Sequence, residues 1–188
     1  MTTVTAPTTL IPTGTWNVDA AHSKVGFAVK HMGIATVRGE FGEFEGTLEI
    51  SEDLSSAGAY GTVKTASVDT NQPQRDEHLR SPDFFDAASH PEIRFESTEI
   101  TLADEDTYRI TGELTLHGVT KPIVLSAEIQ GTETDPQTGN ERVGLEVSGQ
   151  LSRGDYGMEF NMALGSGNML VADKVKLSLD ISAVRQSS

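Results

Sequence analysis

The chain has 188 residues, no cysteine, and 14 basic against 28 acidic side chains, for a formal charge of −14. That composition excludes thiol catalysis, cysteine-based zinc sites and disulfide scaffolds, and a surface of this sign repels nucleic acid phosphates and anionic lipid headgroups. No stretch approaches the roughly 18 apolar residues of a membrane-spanning helix.

Residues 1–13, within MTTVTAPTTLIPTGTW, are rich in Thr and Pro and predict a flexible N-terminal arm. They offer neither a positive n-region nor the continuous apolar run of a secretion signal, which with the missing disulfides predicts a cytoplasmic protein. From Trp16 onward apolar residues recur with period two, the mark of strands buried on one face. In HSKVGFAVKHM, Val25, Phe27 and Val29 alternate with Lys24 and Lys30, and His31 continues the apolar parity. In VRGEFGEFEGTLEI the apolar set passes from odd positions (Val37, Phe41) to even ones (Phe44, Leu48, Ile50), which predicts a β-bulge near Gly42.

Residues 74–88 break the alternation. The segment RDEHLRSPDFFDAASHPEIRF predicts a short helical insert, with Ser81 as N-cap ahead of Pro82 at the first helical position. Its Phe84 and Phe85 either plug one end of the fold or form a lid over an apolar ligand, whose polar head Arg75, His78 and Arg80 would supply with donors. Beyond the insert, IRFESTEITL changes parity again, from Ile93 and Phe95 to Ile100 and Leu102. Alternation returns at Ile110, Leu114 and Leu116, at Ile123, Leu125, Ala127 and Ile129, at Val143, Leu145 and Val147, and at Val175, Leu177, Leu179 and Ile181. LHGVTKP and TDPQTGNE have the turn chemistry of hairpin connections. About eight long, bent, antiparallel strands predict an all-β fold, a closed up-and-down barrel over residues 14–185 with 186–188 as a tail. Inward glycines such as Gly46, Gly112 and Gly149 either leave room inside the barrel or ease its bending.

Few residues suggest chemistry. DAAHS holds the residue types of a hydrolytic triad, but adjacent strand residues point to opposite faces and no G-x-S-x-G elbow occurs. His22, His31, His78, His90 and His117 match no metal-binding spacing, and His31 reads as a hydrogen-bonded wall residue. Arg153 and Asp155 of LSRGDYG read as a surface or corner salt bridge. No catalytic residue, metal or cofactor is therefore expected.

Four ordered segments go further. WNVDAAHSKVGFAVKHMGIATVRGEFGEFEG, VDTNQPQRDEHLRSPDFFDAASHPEIRFES, GELTLHGVTKPI and LSRGDYGM resemble the successive motifs of the YceI-like, polyisoprenoid-binding family, across residues 14 to about 185. The resemblance implies a lipocalin-like barrel whose interior binds, stores or transports an amphiphilic polyisoprenoid lipid, such as an isoprenoid quinone or its precursor, without catalysis. Many relatives carry a secretion signal, which this N-terminus does not present. An open interior turns the inward residues into a cavity wall: Phe27, Val29, His31, Phe41, Phe44, Leu48, Phe95, Leu114, Leu116, Leu125, Ala127, Leu177 and Leu179. Arg75, His78, Arg80, Phe84 and Phe85 then border the mouth as its lid. The rival expectation is an enzyme modifying such a lipid inside the barrel, with His31 or the Arg153/Asp155 pair as polar groups. The expected partner is the lipid alone, with no nucleic acid and no membrane span; a homodimer is left open.

Overall fold

The computed structural model describes residues 11–187. Its strands are β1 (Gly14–Val18), β2 (Lys24–His31), β3 (Ala35–Phe41), β4 (Phe44–Ile50), β5 (Gly58–Lys64), β6 (Val68–Asp69), β7 (Glu92–Leu102), β8 (Thr107–Leu116), β9 (Val119–Thr134), β10 (Glu141–Ser152) and β11 (Val171–Arg185). One helix, α1 (Pro73–Arg80), lies between β6 and β7. The sheet closes because β11 is longer than any single partner. Its free edge takes β1 at one end, from Trp16↔Arg185 to Val18↔Ala183, and β2 along the rest, from Lys24↔Asp180 to His31↔Val171. In the same way β4 pairs with β1 while β3 pairs with β2, and β5 and β6 pair with β4 and β3. β1 with β2, β3 with β4, and β5 with β6 are therefore the halves of three interrupted strands. With β7 to β11 they make eight antiparallel strands, each beside its sequence neighbour, in a barrel closed by β1 and β2 on β11; the outer edge of β3 is paired only at Glu40 and Phe41, by β6.

The parity change at Gly42 is a break of two residues, Gly42 and Glu43, and not a single-residue bulge. The reason lies in its neighbours. The first strand is interrupted at the same level by a 3₁₀ turn at Ala20–His22, and the third by another at Thr65–Ser67, so the wall turns a corner there. The register accordingly moves from Val25↔Phe41 to Asn17↔Thr47. Bonds from the Gly42 amide to the Ser67 carbonyl (3.2 Å) and from the Lys64 amide to the Glu43 carbonyl (2.9 Å) keep the corner paired. The second parity change is a true bulge: the ladder steps from Ser97↔Gly112 to Glu99↔Thr111, leaving Thr98 unpaired. A further bulge at Gln130, between Gly131↔Gly144 and Ile129↔Leu145, carried no parity signal in the sequence.

One end of the barrel is filled. Trp16 is fully buried at its centre, with Ile50, Ile100, Tyr108, Val143, Leu145 and Ala183 around it. Ile11 belongs to this plug, being only 1% exposed, and its amide donates to the Tyr108 hydroxyl at 3.4 Å. The Pro12 carbonyl accepts from the Trp16 indole at 2.9 Å, and the Thr13 carbonyl from the Arg185 guanidinium. The expected flexible arm therefore does not extend to residue 13. One buried isoleucine anchors a segment whose Thr/Pro composition pointed the other way, and residues 1–10 lie outside the described residues. Of the expected tail, Gln186 donates to the Thr15 carbonyl at 2.7 Å, and residue 188 also lies outside.

Arg142 clamps the rim of this closed end, reaching Asp19 at 2.9 Å and Asp135 at 3.1 Å. Its guanidinium, and then the hydrogen bond from His22, hold the Asp19 carboxyl down at about 2, against an ordinary 3.8.

α1 begins earlier than expected. Gln72 is its N-cap, accepting from the Arg75 amide at 2.9 Å, and Pro73 occupies the first turn. Ser81 is instead its C-cap, with a hydroxyl that donates to the His78 carbonyl. Two X-Pro sites, Gln72-Pro73 and Ser81-Pro82, competed for the start. The first wins because Asp76, one turn into the helix, is buried and accepts from both the amide and the hydroxyl of Thr70. Eight residues, six of them polar, make no stable helix by themselves. Tertiary bonds hold this one: Arg75 donates to the Thr70 hydroxyl and carbonyl, and Arg80 to the carbonyls of Ala66 and Val68.

Two outcomes follow from the closed end. Ile11→Ala should lower stability by about 2–5 kcal/mol, the range for truncating a buried isoleucine; a urea midpoint equal to wild type would show that Ile11 is not packed. Arg142→Ala should let the Asp19 pKa rise towards 3.8, read by NMR titration of its carboxyl. Since the folded-state value is depressed, the stability that Asp19 contributes is present above about pH 4 and disappears as the pH falls towards about 2. Acid unfolding of the variant should therefore begin at a higher pH than in wild type.

Candidate functional site

Beyond the Trp16 plug the barrel is hollow. The cavity has a volume of about 650 Å³, and aliphatic and aromatic side chains form most of its wall. β2 contributes Phe27, Val29 and His31; β3 and β4 contribute Phe41, Phe44 and Leu48; β7 contributes Phe95. Leu114 and Leu116 come from β8, Leu125 and Ala127 from β9, Leu177 and Leu179 from β11. All thirteen expected wall residues thus face one space. Ala127 is 1% exposed and also packs within the plug, so it marks the floor.

The inward glycines do not themselves leave the lumen empty. Each lies under a neighbour's side chain. A Cβ at Gly112 would fall 2.6 Å from the Phe95 ring, one at Gly149 2.6 Å from Leu125, and one at Gly46 3.1 Å from Val18. The tightest case is Gly39, directly across the ladder from Phe27, where a Cβ would fall 2.4 Å from the ring. Glycine thus lets large side chains lie against the wall, and the hollow is what remains beyond them.

The mouth is covered by α1 and the turns after it. Arg75, His78, Phe84 and Phe85 line the cavity from this side. Phe85 packs edge-on against Phe27 at 6.3 Å and against Phe41 at 5.6 Å. Phe84 meets Phe160 at 5.2 Å, and the His78 ring stacks edge-on to both at 5.0 Å. His78 also bonds the Asp83 carboxylate at 2.9 Å. Arg80 is not part of the mouth: its guanidinium turns outward to the Ala66 and Val68 carbonyls, where it anchors the helix.

Arg153 departs from the expected surface salt bridge. It is 5% exposed, lines the cavity and does not bond Asp155. Its guanidinium donates to the carbonyls of Met158 (2.6 Å), Ala172 (2.8 Å) and Val171 (3.1 Å). Burial lowers its pKa, and the charge of Asp173 opposes that shift. The Arg153/Asp155 pair of the enzymatic alternative is therefore not assembled. Nor is a triad formed at DAAHS: His22 bonds Asp19 at 2.8 Å, while the Ser23 hydroxyl donates to the Ser182 carbonyl.

Sequence reasoning missed Met158, Phe160 and Leu170, which complete the wall between β10 and β11. Alternation of Met158, Phe160 and Met162 in GMEFNM was the available signal. It also missed that Asp86, His90 and His117 converge, with one donor atom from each lying within 4.8 Å of the others. Their segments are far apart in the chain, so no spacing motif announces them.

The comparisons with known proteins agree with this geometry. The family model described as "YceI-like domain" matches residues 16–183. A UPF0312 protein of Photorhabdus laumondii is 37% identical over 171 residues, covering 90% of this chain and 85% of that one. The crystal structure of the Campylobacter jejuni YCEI protein superposes with a TM-score of 0.70 at 31% identity, covering 90% of this chain and 96% of the other. A polyisoprenoid binding domain from Saccharophagus degradans shares the fold, with a TM-score of 0.70 at 14% identity over 91% of this chain and 98% of that domain. Among the described residues no helix is long and apolar enough to cross a membrane. An eight-stranded barrel plugged at one end, hollow and lidded at the other, and matched from Trp16 to Ala183, places this chain in the YceI-like domain family.

Proposed function

We propose that this protein binds, stores or carries an amphiphilic polyisoprenoid lipid, an isoprenoid quinone or its precursor, and does not alter it chemically. The observation that carries the reading is the apolar cavity of about 650 Å³ under an aromatic lid. That volume falls within the range of roughly 300–1,000 Å³ for sites that hold one small ligand. At about 0.8 kcal/mol per buried CH₂, each five-carbon isoprene unit gains roughly 3–4 kcal/mol gross, so a few units outweigh the cost of ordering the ligand. The tail lies along Phe27, Phe95 and the leucines of β8 and β11, and the head faces Arg75 and His78 under the lid. The Saccharophagus degradans domain, whose description names polyisoprenoid binding, supports the choice of ligand class. A cytoplasmic location and action as a monomer or homodimer complete the proposal.

Organic extraction of the purified protein followed by mass spectrometry should recover an isoprenoid lipid at close to one per chain. An extract free of lipid, with no uptake of added quinone or polyprenol, would end the carrier reading. Leu179→Trp should fill part of the lumen and reduce the lipid retained, with little loss of stability in the stripped protein because the new ring enters empty space. Clear destabilisation with unchanged retention would mean that this part of the barrel is packed. Phe85→Ala removes both aromatic contacts between lid and wall, and should speed transfer of bound lipid to acceptor vesicles without abolishing binding.

A further inference from the structure

We propose that Asp86, His90 and His117 form a zinc-class metal site that clasps the lid segment to the β8–β9 hairpin. One donor atom from each residue already lies within 4.8 Å of the others. Tetrahedral zinc, with bonds of about 2.0–2.2 Å, needs donors about 3.3 Å apart, a closure that rotation of partly exposed side chains supplies. Two imidazoles and a carboxylate are a donor set that suits zinc, and three protein ligands leave a fourth position for water.

The surroundings are arranged for this chemistry. The Nδ1 of His117 lies 2.8 Å from the Tyr156 carbonyl, which only accepts, so that nitrogen carries the proton and the Nε2 lone pair is left for a metal. A ring N–H bonded to a backbone carbonyl is the usual orienting partner of a ligating histidine. His117 occupies the first place of a two-residue hairpin loop at φ 55°, where Asn is the ordinary choice. Gly118 follows at φ 74°, and any Cβ on it would fall 2.7 Å from the His90 ring. Asp86 is likewise held at φ 48°. The two histidine rings stand 5.1 Å apart, and neither the Asp86 carboxylate nor the His90 ring is hydrogen-bonded to another side chain.

The placement defines the role. None of the three residues lines the cavity, so a metal here does not touch what the cavity holds. Asp86 directly follows Phe84 and Phe85, while His117 sits in the hairpin loop that joins β8 to β9 of the barrel. Metal binding therefore ties the aromatic lid to the barrel. The site stands independently of the carrier reading; its effect on lipid release rests on that reading.

Untagged, chelator-treated protein should bind one Zn²⁺ per chain by isothermal titration calorimetry. Asp86→Asn, which keeps the shape and tolerates the same φ, and His90→Ala should each weaken binding at least tenfold, whereas His22→Ala should leave it unchanged. In wild type, Zn²⁺ should shift the NMR ring resonances of His90 and His117 and not those of His22. The site is refuted if wild type takes up no stoichiometric zinc, if both ligand variants bind as tightly as wild type, or if His22→Ala weakens binding equally. Lipid-loaded protein should release its ligand several-fold more slowly with Zn²⁺ than without. Stoichiometric zinc with unchanged release would overturn the clasp and keep the site, while zinc uptake by a protein that retains no lipid would overturn the carrier reading alone.

Discussion

The hydrogen-bonded seam between β11 and the broken first strand is the constraint on which the rest of the molecule depends. β11 runs for fifteen residues, and neither β1 nor β2 alone covers its edge. The 3₁₀ turn between them lets one strand serve both lengths. It also forces the next two strands to break at the same level, and the wall turns a corner there. On one side of the corner, inward residues such as Trp16 and Ile50 converge into a solid plug. On the other, Phe27, Phe41 and Val29 diverge around a hollow. Closure, corner, plug and cavity are consequences of one seam.

Most of this was legible in the sequence, because a period of two reports which face of a strand is buried without any knowledge of its partner. The strands from Ile110 to Ile181 and the wall residues on them follow from alternation alone, and Thr98 was visible as a change of parity. Gln130 was not, since its bulge falls where β9 has left the apolar core and both registers place polar residues outward. The corner at Gly42 was visible as a parity change but not as a break, because the matching interruption lies some twenty residues away, in a turn whose residues look ordinary. The N-cap of helix α1 was placed nine residues late, at Ser81 instead of Gln72, because a local capping pattern, Ser81-Pro82, was weighed without the buried Asp76–Thr70 bonds that fix the true start.

The polar groups were the least legible. Charge that sits in an apolar setting is identified by its partners, and partners are tertiary. Arg153 looks in the sequence like half of an ion pair with Asp155, yet its guanidinium is bonded by three carbonyls from two segments. A buried cation satisfied by backbone acceptors keeps those segments in place with no carboxylate bonded to it, and it joins the loop after β10 to the start of β11. Arg80 shows the same logic at the lid. Read as a donor to a ligand, it proves to be a tether that holds a polar helix where its own sequence would not keep it.

The plug at Trp16 makes the barrel a dead end. A tube open at both ends admits a guest from either side and lets water leave ahead of it. A blind one has a single doorway, through which an entering chain and the displaced water must pass in opposite directions. A guest with one polar end and one apolar end would then be held in a single orientation, apolar end against the Ala127 floor and polar end at the threshold. That polar end would lie beneath the lid, beside Arg75 and His78, at the same place in every copy of the protein.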